Sequence, residues 1–262
     1  VKMPTADGIY YFVSDLRQTP QSAPIPMVLV HGAGGNHLYW PAHVRRLPDL
    51  RVLAVDLPAH GQSSGIAEQE ISAYARHLAE WAKSIGIERA IWVGHSMGGA
   101  IALTLALEYP KMTAALGLVA TAARLPVSPY LLDATAHEAT MPSAVEAIMK
   151  WAFSPQTPEN LRAQAAKRMS EVRYSVLHND FVACNLFDVS DRLGEIEAPA
   201  LVLHGSADKM VPLREGEFLA NNIPNAELRV FPNAGHMLML EKPREVSEVL
   251  REFGVRVQRE NR

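Results

Sequence analysis

Ala90-Ile91-Trp92-Val93-Gly94-His95-Ser96-Met97-Gly98-Gly99 is the stretch whose reading decides the fold. An apolar run stops at Gly94, and from Met97 the chain turns rich in Ala and Leu until Tyr109, with Pro110 just beyond. The pattern predicts a strand over Ala90–Val93 and a helix over Met97–Tyr109, joined by a sharp turn. Glycines at 94 and 98 remove side chains that would collide in such a turn, which lifts the Ser96 hydroxyl clear of the sheet. The serine also stands at a helix N-terminus, where free N–H groups favour negative charge.

Outward from this turn the same rhythm repeats. Ile9–Val13, Met27–Val30, Arg51–Val55, Ala115–Ala120, Ala200–Leu203 and Glu227–Phe231 read as strands, and Pro20–Pro26 as a proline-rich loop. Short apolar runs of this kind fit strands covered on both faces. Ile71–Ile85 carries apolar or small residues at 71, 74, 75, 78, 81, 82 and 85, the period of an amphipathic helix, and Gly86 stops it. A last helix is expected over Pro243–Phe253, with proline where a missing N–H costs nothing. Strands alternating with helices predict an α/β fold with a mainly parallel, twisted sheet flanked by helices. One connection breaks the rhythm: the 79 residues from Thr121 to Pro199 show no clear sheet strand. A structureless loop of that length is improbable, and helices are expected near Tyr130–Thr135, Ser143–Phe153 and Glu159–Asn185. The expected organisation is a core of residues 1–120 and 200–262 carrying a helical cap, or lid, over 121–199. No internal repeat is present.

Composition bounds the partners. The chain has 262 residues, 48% hydrophobic and 20% charged, with net charge −3. That is the balance of a globular enzyme with a full core, and nothing in it favours nucleic acid or anionic membrane. No apolar stretch approaches the roughly 18 residues of a membrane span. Val1–Gln21, with acids, prolines and no apolar block, does not read as a signal peptide. The single cysteine, Cys184, excludes an intrachain disulfide and fits a reducing cytoplasm. No glycine-rich turn surrounds Cys184, so a buried structural thiol is expected.

Serine is a poor nucleophile until a base takes its proton. Of ten histidines, His236 has the context for that role: a strand, then Pro232-Asn233-Ala234-Gly235-His236. Loops after the carboxyl ends of parallel strands build the ligand site. Asp208 follows the strand Ala200–Leu203 in His204-Gly205-Ser206-Ala207-Asp208, placed to fix the tautomer of His236. Asp188 and Asp191 are rivals with no strand leading into them. Attack on a carbonyl makes an oxyanion, for which the N–H groups of Met97 and Ala33 are the expected donors. The turn at His31–Gly35 has neither a Gly-Lys-Ser/Thr ending nor a Gly-x-Gly-x-x-Gly spacing, against a nucleotide site. His31, His37, His60, His95 and His204 lie in strand-end loops without the spacing of metal ligands. Trp40, Met97, Trp151, Met210, Val211, Met237 and Leu238 are candidates to line a substrate pocket, against the plainer reading of core.

Taken together, His31-Gly32-Ala33-Gly34-Gly35, Asp56-Leu57-Pro58-Ala59-His60-Gly61-Gln62-Ser63, Gly94-His95-Ser96-Met97-Gly98-Gly99, Gly205-Ser206-Ala207-Asp208 and Gly235-His236 resemble the α/β-hydrolase superfamily, its small esterases, lactonases and carbon–carbon bond hydrolases. The motifs span most of the chain outside the cap, and their order of serine, acid and histidine is the one this fold uses. Ala59 stands where relatives usually have glycine, a departure confined to a loop. The resemblance implies the fold, a Ser96–His236–Asp208 triad, structural histidines at 31 and 95, no metal and no cofactor. The expected activity is hydrolysis of small-molecule carboxylic esters of small to medium acyl size, by a monomer or homodimer. A lactonase, a carbon–carbon hydrolase or a cofactor-free perhydrolase would use the same triad, and a non-catalytic ligand receptor is the alternative of another class. Dehalogenase and epoxide hydrolase chemistry needs a carboxylate where Ser96 stands.

Overall fold

The structure, a computed structural model, describes residues 4–17 and 25–261. Most of the expected Pro20–Pro26 loop and part of Val1–Gln21 lie outside the described residues. Eight strands form one sheet in the order β1-β2-β4-β3-β5-β6-β7-β8. They are β1 (Thr5–Ala6), β2 (Ile9–Asp15), β3 (Met27–Val30), β4 (Arg51–Val55), β5 (Ala90–His95), β6 (Thr113–Val119), β7 (Ala200–Gly205) and β8 (Ala226–Phe231). β1 and β2 pair antiparallel at one edge; from β4 to β8 every pairing is parallel. Each residue of β3, β5, β6 and β7 is buried, as strands covered on both faces must be.

The helices are α1 (Ala42–Arg45), α2 (Ile71–Ser84), α3 (Met97–Glu108), α4 (Pro129–Thr135), α5 (Met141–Ala152), α6 (Glu159–Ser170), α7 (Tyr174–Leu186), α8 (Leu213–Asn222), α9 (Leu238–Glu241) and α10 (Pro243–Glu260). α2 buries Tyr74, Leu78 and Trp81 along its expected face. Past its end, Gly86 adopts left-handed backbone, φ +74°, and its N–H donates to the Lys83 carbonyl. α10 runs beyond the expected end at Phe253. Gly254 lies within it, and its missing side chain lets the helix approach Leu50, which a Cβ would meet at 2.7 Å.

The chain moves from β3 outward to β4, then crosses back to β5 on the other side of β3. Strand order therefore reverses between β3 and β5, where a crevice opens at the carboxyl ends of a parallel sheet. The segment between β6 and β7 is helical, as expected, and contributes no strand to the sheet. One expectation is corrected: Glu159–Asn185 is two helices, α6 and α7, parted at 171–173. The break carries no Gly or Pro. It lets Arg173 donate to the Ala59 carbonyl at 2.9 Å while α7 turns Asp180 inward. The insertion shares its core with the rest of the protein: Leu177 and Phe181 pack in one buried cluster with Val93 and Leu203.

Candidate active site

Ser96 occupies the turn between β5 and α3 at φ 53° and ψ −117°, backbone that L-residues adopt only under constraint. The constraint is visible in its neighbours. A Cβ on Gly94 would lie 1.9 Å from the Gly98 carbonyl oxygen, and one on Gly98 would lie 2.3 Å from that of Val30. The Ser96 N–H donates to Val119, and its carbonyl accepts from the Gly99 N–H and the Thr121 hydroxyl.

His236 follows β8, and its Nδ1 lies 2.9 Å from Asp208 Oδ2. A carboxylate only accepts, so Nδ1 carries the proton of this bond, and Nε2 is the nitrogen free of Asp208. Asp208 Oδ1 accepts from the N–H groups of Met210 and Val211, each at 2.9 Å, which turns Oδ2 to the histidine. The acid and base loops are zipped together by bonds from Ser206 to Phe231 and from Ala207 to Ala234. Gly205 permits this contact, because a Cβ there would sit 2.3 Å from the Ala234 carbonyl oxygen.

Ser96 and His236 border the same two cavities, a larger one of about 600 Å³ and a smaller one of about 50 Å³. Ala33 lines both, from the turn after β3. Met97 is the first residue of α3, so its N–H has no intrahelical acceptor. Of the pocket candidates, Trp151 and Val211 line the larger cavity, Met237 the smaller one and Met210 both. Trp40, Met97 and Leu238 line neither. Their side chains are wholly buried core, where a large apolar group is packed rather than presented. Tyr39, beside Trp40, lines the smaller cavity instead.

The strand-end histidines are all engaged. His31 Nε2 accepts from the Leu57 N–H, His95 Nε2 donates to the His236 carbonyl, and His204 Nε2 donates to that of Val211. His37 Nδ1 lies 2.8 Å from Asp56. His60 places Nδ1 at 2.9 Å from the Pro58 carbonyl and Nε2 at 2.8 Å from Asp180. Both ring nitrogens of His60 are thus placed to donate, and the Asp180 charge raises the group's proton affinity above that of a free histidine. Cys184 is buried and free, and burial pushes its thiol up. Sequence reading missed the buried carboxylate of Asp180 and the half-buried one of Glu241. Glu241 accepts from the Gly235 N–H beside His236 and from Ser154 and Thr157 in the insertion. Asp180 stands amid Leu177, Phe181 and Cys184, and a lone acid in an apolar helix is the signal that marks it.

These histidines predict an acid-sensitive fold. Burial lowers His31 to about 4 and holds His95 and His204 down as well. The unfolded chain binds protons near 6.5, so it takes up more than the folded chain between about 4 and 6.5, and stability rises with pH there. The His31 share alone is about 3 kcal/mol. For His60, burial works downward but the Asp180 charge outweighs it and raises the group. Its contribution has the opposite sign, present below 6.5 and lost as pH rises through the folded value. Three groups against one give a urea midpoint that falls between pH 7 and 4.5; a flat profile would contradict the burial.

Residues 25–243 match the family described as alpha/beta hydrolase fold. The chain is 32% identical over 235 residues to a 2-hydroxy-6-oxo-6-phenylhexa-2,4-dienoate hydrolase of Burkholderia cepacia, covering 82% of each. It is 28% identical to a pimeloyl-[acyl-carrier protein] methyl ester esterase of Vibrio atlanticus, covering 88% of this chain and 92% of that one. A solved structure of a thermophilic esterase superposes with a TM-score of 0.82 at 33% identity, over 98% of this chain and 97% of that one. Among the described residues no helix is long and apolar enough to cross a membrane. The match over residues 25–243 and the 32% identical relative show that the chain belongs to the α/β-hydrolase family.

Proposed function

We propose that the protein hydrolyses carboxylic esters of short acyl chains through an acyl-enzyme on Ser96. The observation that carries this reading is the shared cavity wall: Ser96, in strained backbone, borders the same space as His236, whose Nδ1 is held by Asp208. Ser96 Oγ attacks the ester carbonyl while His236 Nε2 takes its proton. The N–H groups of Ala33 and Met97 receive the oxyanion. The imidazolium, stabilised by Asp208, then protonates the departing alcohol, and water releases the acid by the same steps reversed.

The cavities divide the substrate. A departing alcohol needs an exit, which the larger cavity of about 600 Å³ supplies. The acyl group fits the smaller one, about 50 Å³ and walled by the apolar side chains of Ile148, Phe153, Met169 and Met237. That volume holds a few water-sized groups, about two to four acyl carbons. In a series of p-nitrophenyl esters, kcat/KM is expected to peak at acetate to butyrate and to fall by at least about tenfold at octanoate, at roughly one to three kcal/mol per misfitting methylene. A peak at octanoate, or activity on lactones alone, overturns the assignment.

A second reading rests on the 32% identity with the Burkholderia cepacia enzyme. A carbon–carbon bond hydrolase would use the same three side chains. Incubation with 2-hydroxy-6-oxo-6-phenylhexa-2,4-dienoate separates the two: cleavage faster than that of any ester would replace the esterase reading.

A further inference from the structure

We infer that Asp180, on α7 of the insertion, is a positioning residue that sets the Ala33 oxyanion donor through the Gly34 peptide. The inference rests on the esterase reading above. Asp180 is fully buried, and its carboxylate accepts three hydrogen bonds. Oδ2 takes the Gly34 N–H at 2.8 Å and His60 Nε2 at 2.8 Å, and Oδ1 takes the Tyr74 hydroxyl at 2.6 Å. One side chain thus joins the insertion, the turn after β3, the loop after β4 and α2.

The Gly34 N–H belongs to the peptide that begins at the Ala33 carbonyl, so the bond to Oδ2 fixes the plane on one side of Ala33. On the other side, the Gly35 N–H donates to the Gly32 carbonyl at 3.0 Å. Gly34 itself is in left-handed backbone, φ +62°, where a Cβ would meet Leu177 of α7 at 3.0 Å. The turn is therefore held against α7 by one short polar contact and close apolar packing. A preorganised donor contributes most when it does not move as charge develops.

His60 makes the anchor charged. Its ring donates to both Pro58 and Asp180, and the Asp180 charge outweighs burial to raise its proton affinity. Around it stand His31, with ring centroids 4.9 Å apart, Asp56, and Tyr74. Burial holds His31 down to about 4, so of the two rings His60 is the one favoured to carry charge beside the Asp180 carboxylate. A charged hydrogen bond is shorter and stronger than a neutral one, which suits a carboxylate that must hold a backbone N–H in place.

The geometry separates two functions of the carboxylate. Oδ2 reaches the oxyanion turn, whereas Oδ1 reaches only Tyr74. Tyr74→Phe removes a buried bond to the same side chain and leaves the Gly34 contact. Asp180→Asn keeps an acceptor for Gly34 but drops the charge, and Asp180→Ala removes the acceptor altogether. Loss of a positioned oxyanion donor costs about 10²-fold or more in kcat.

The test compares the three variants in full-length protein. Hydrolysis of p-nitrophenyl butyrate gives kcat and KM, inhibition by butylboronic acid reports the tetrahedral state, and thermal melting reports the fold. In Asp180→Ala we expect kcat to fall about 100-fold with KM within about threefold, and boronate affinity to weaken in parallel. Asp180→Asn is expected to recover about tenfold of that loss, and Tyr74→Phe to melt lower with kcat within about threefold of the parent. Equal loss of kcat in Tyr74→Phe and Asp180→Asn at equal loss of melting temperature would overturn the inference and leave Asp180 a stabilising residue only. If Asp180→Ala does not fold, the Asn and Phe pair decides alone. Failure of the parent enzyme to bind the boronate would count instead against Ser96 as nucleophile.

Discussion

Ser96→Ala is expected to lower kcat for p-nitrophenyl butyrate by about 10⁶-fold while the protein folds as before. In the proposed mechanism the Ser96 hydroxyl forms the acyl-enzyme; alanine lacks it, and neither His236 nor the oxyanion donors can replace it. The backbone bonds at residue 96 need no side chain: the N–H to Val119 and the carbonyl to Gly99 and Thr121 remain. Binding should survive, so KM is expected to change little against the fall in kcat. The measurement is a progress curve at high enzyme concentration beside a melting curve. A variant retaining a tenth of the activity would remove Ser96 from the mechanism.

Gly98→Ala is expected to cost the fold itself. Its Cβ would lie 2.3 Å from the Val30 carbonyl oxygen and 2.6 Å from that of His31. Both are backbone atoms of β3 and the turn that follows, so no rotamer change relieves the contact. α3 must move off the sheet, and with it the Met97 N–H and the Ser96 turn. A forced shift of a buried helix belongs with the largest single-residue effects, about 4 kcal/mol or more. At this size of protein that lowers the melting temperature by about 10 °C. Gly86→Ala is the contrast, because nothing lies within 4 Å of a Cβ there and only the left-handed φ opposes it. Its cost is about 1–2 kcal/mol. Equal melting of Gly98→Ala and the parent would contradict the packing of α3 on β3.

The parts of the site that sequence exposed are those where backbone geometry demands a particular residue. Gly94 and Gly98 are required by contacts of 1.9 and 2.3 Å, and Gly205 by one of 2.3 Å, so each leaves a mark in the sequence. The buried strands were equally legible, since β3, β5 and β6 are apolar on both faces. Long-range polar contacts leave no such mark. Gly34 and Asp180 are 146 residues apart, and Ser154 and Glu241 are 87 apart. Neither partner's neighbours in sequence predict the other.

Helix boundaries failed for local reasons. α8 was not foreseen because it buries only Gly216 and Leu219, too few to show a period. The break between α6 and α7 was not foreseen because Glu171, Val172 and Arg173 carry no turn residue. It is set by tertiary contacts, Arg173 to Ala59 and Asp180 to Gly34. Trp40 failed as a pocket residue because a tryptophan beside a strand-end loop fits core and cavity wall alike, and burial decided for core.

The most direct test of the account is where a fluorophosphonate attaches. The probe forms a bond with an activated serine, and peptide mapping by mass spectrometry locates it. The account predicts one adduct, on the peptide carrying Ser96, forming in step with the loss of ester hydrolysis. An adduct on another residue as activity disappears, or full activity with Ser96 labelled, would contradict it.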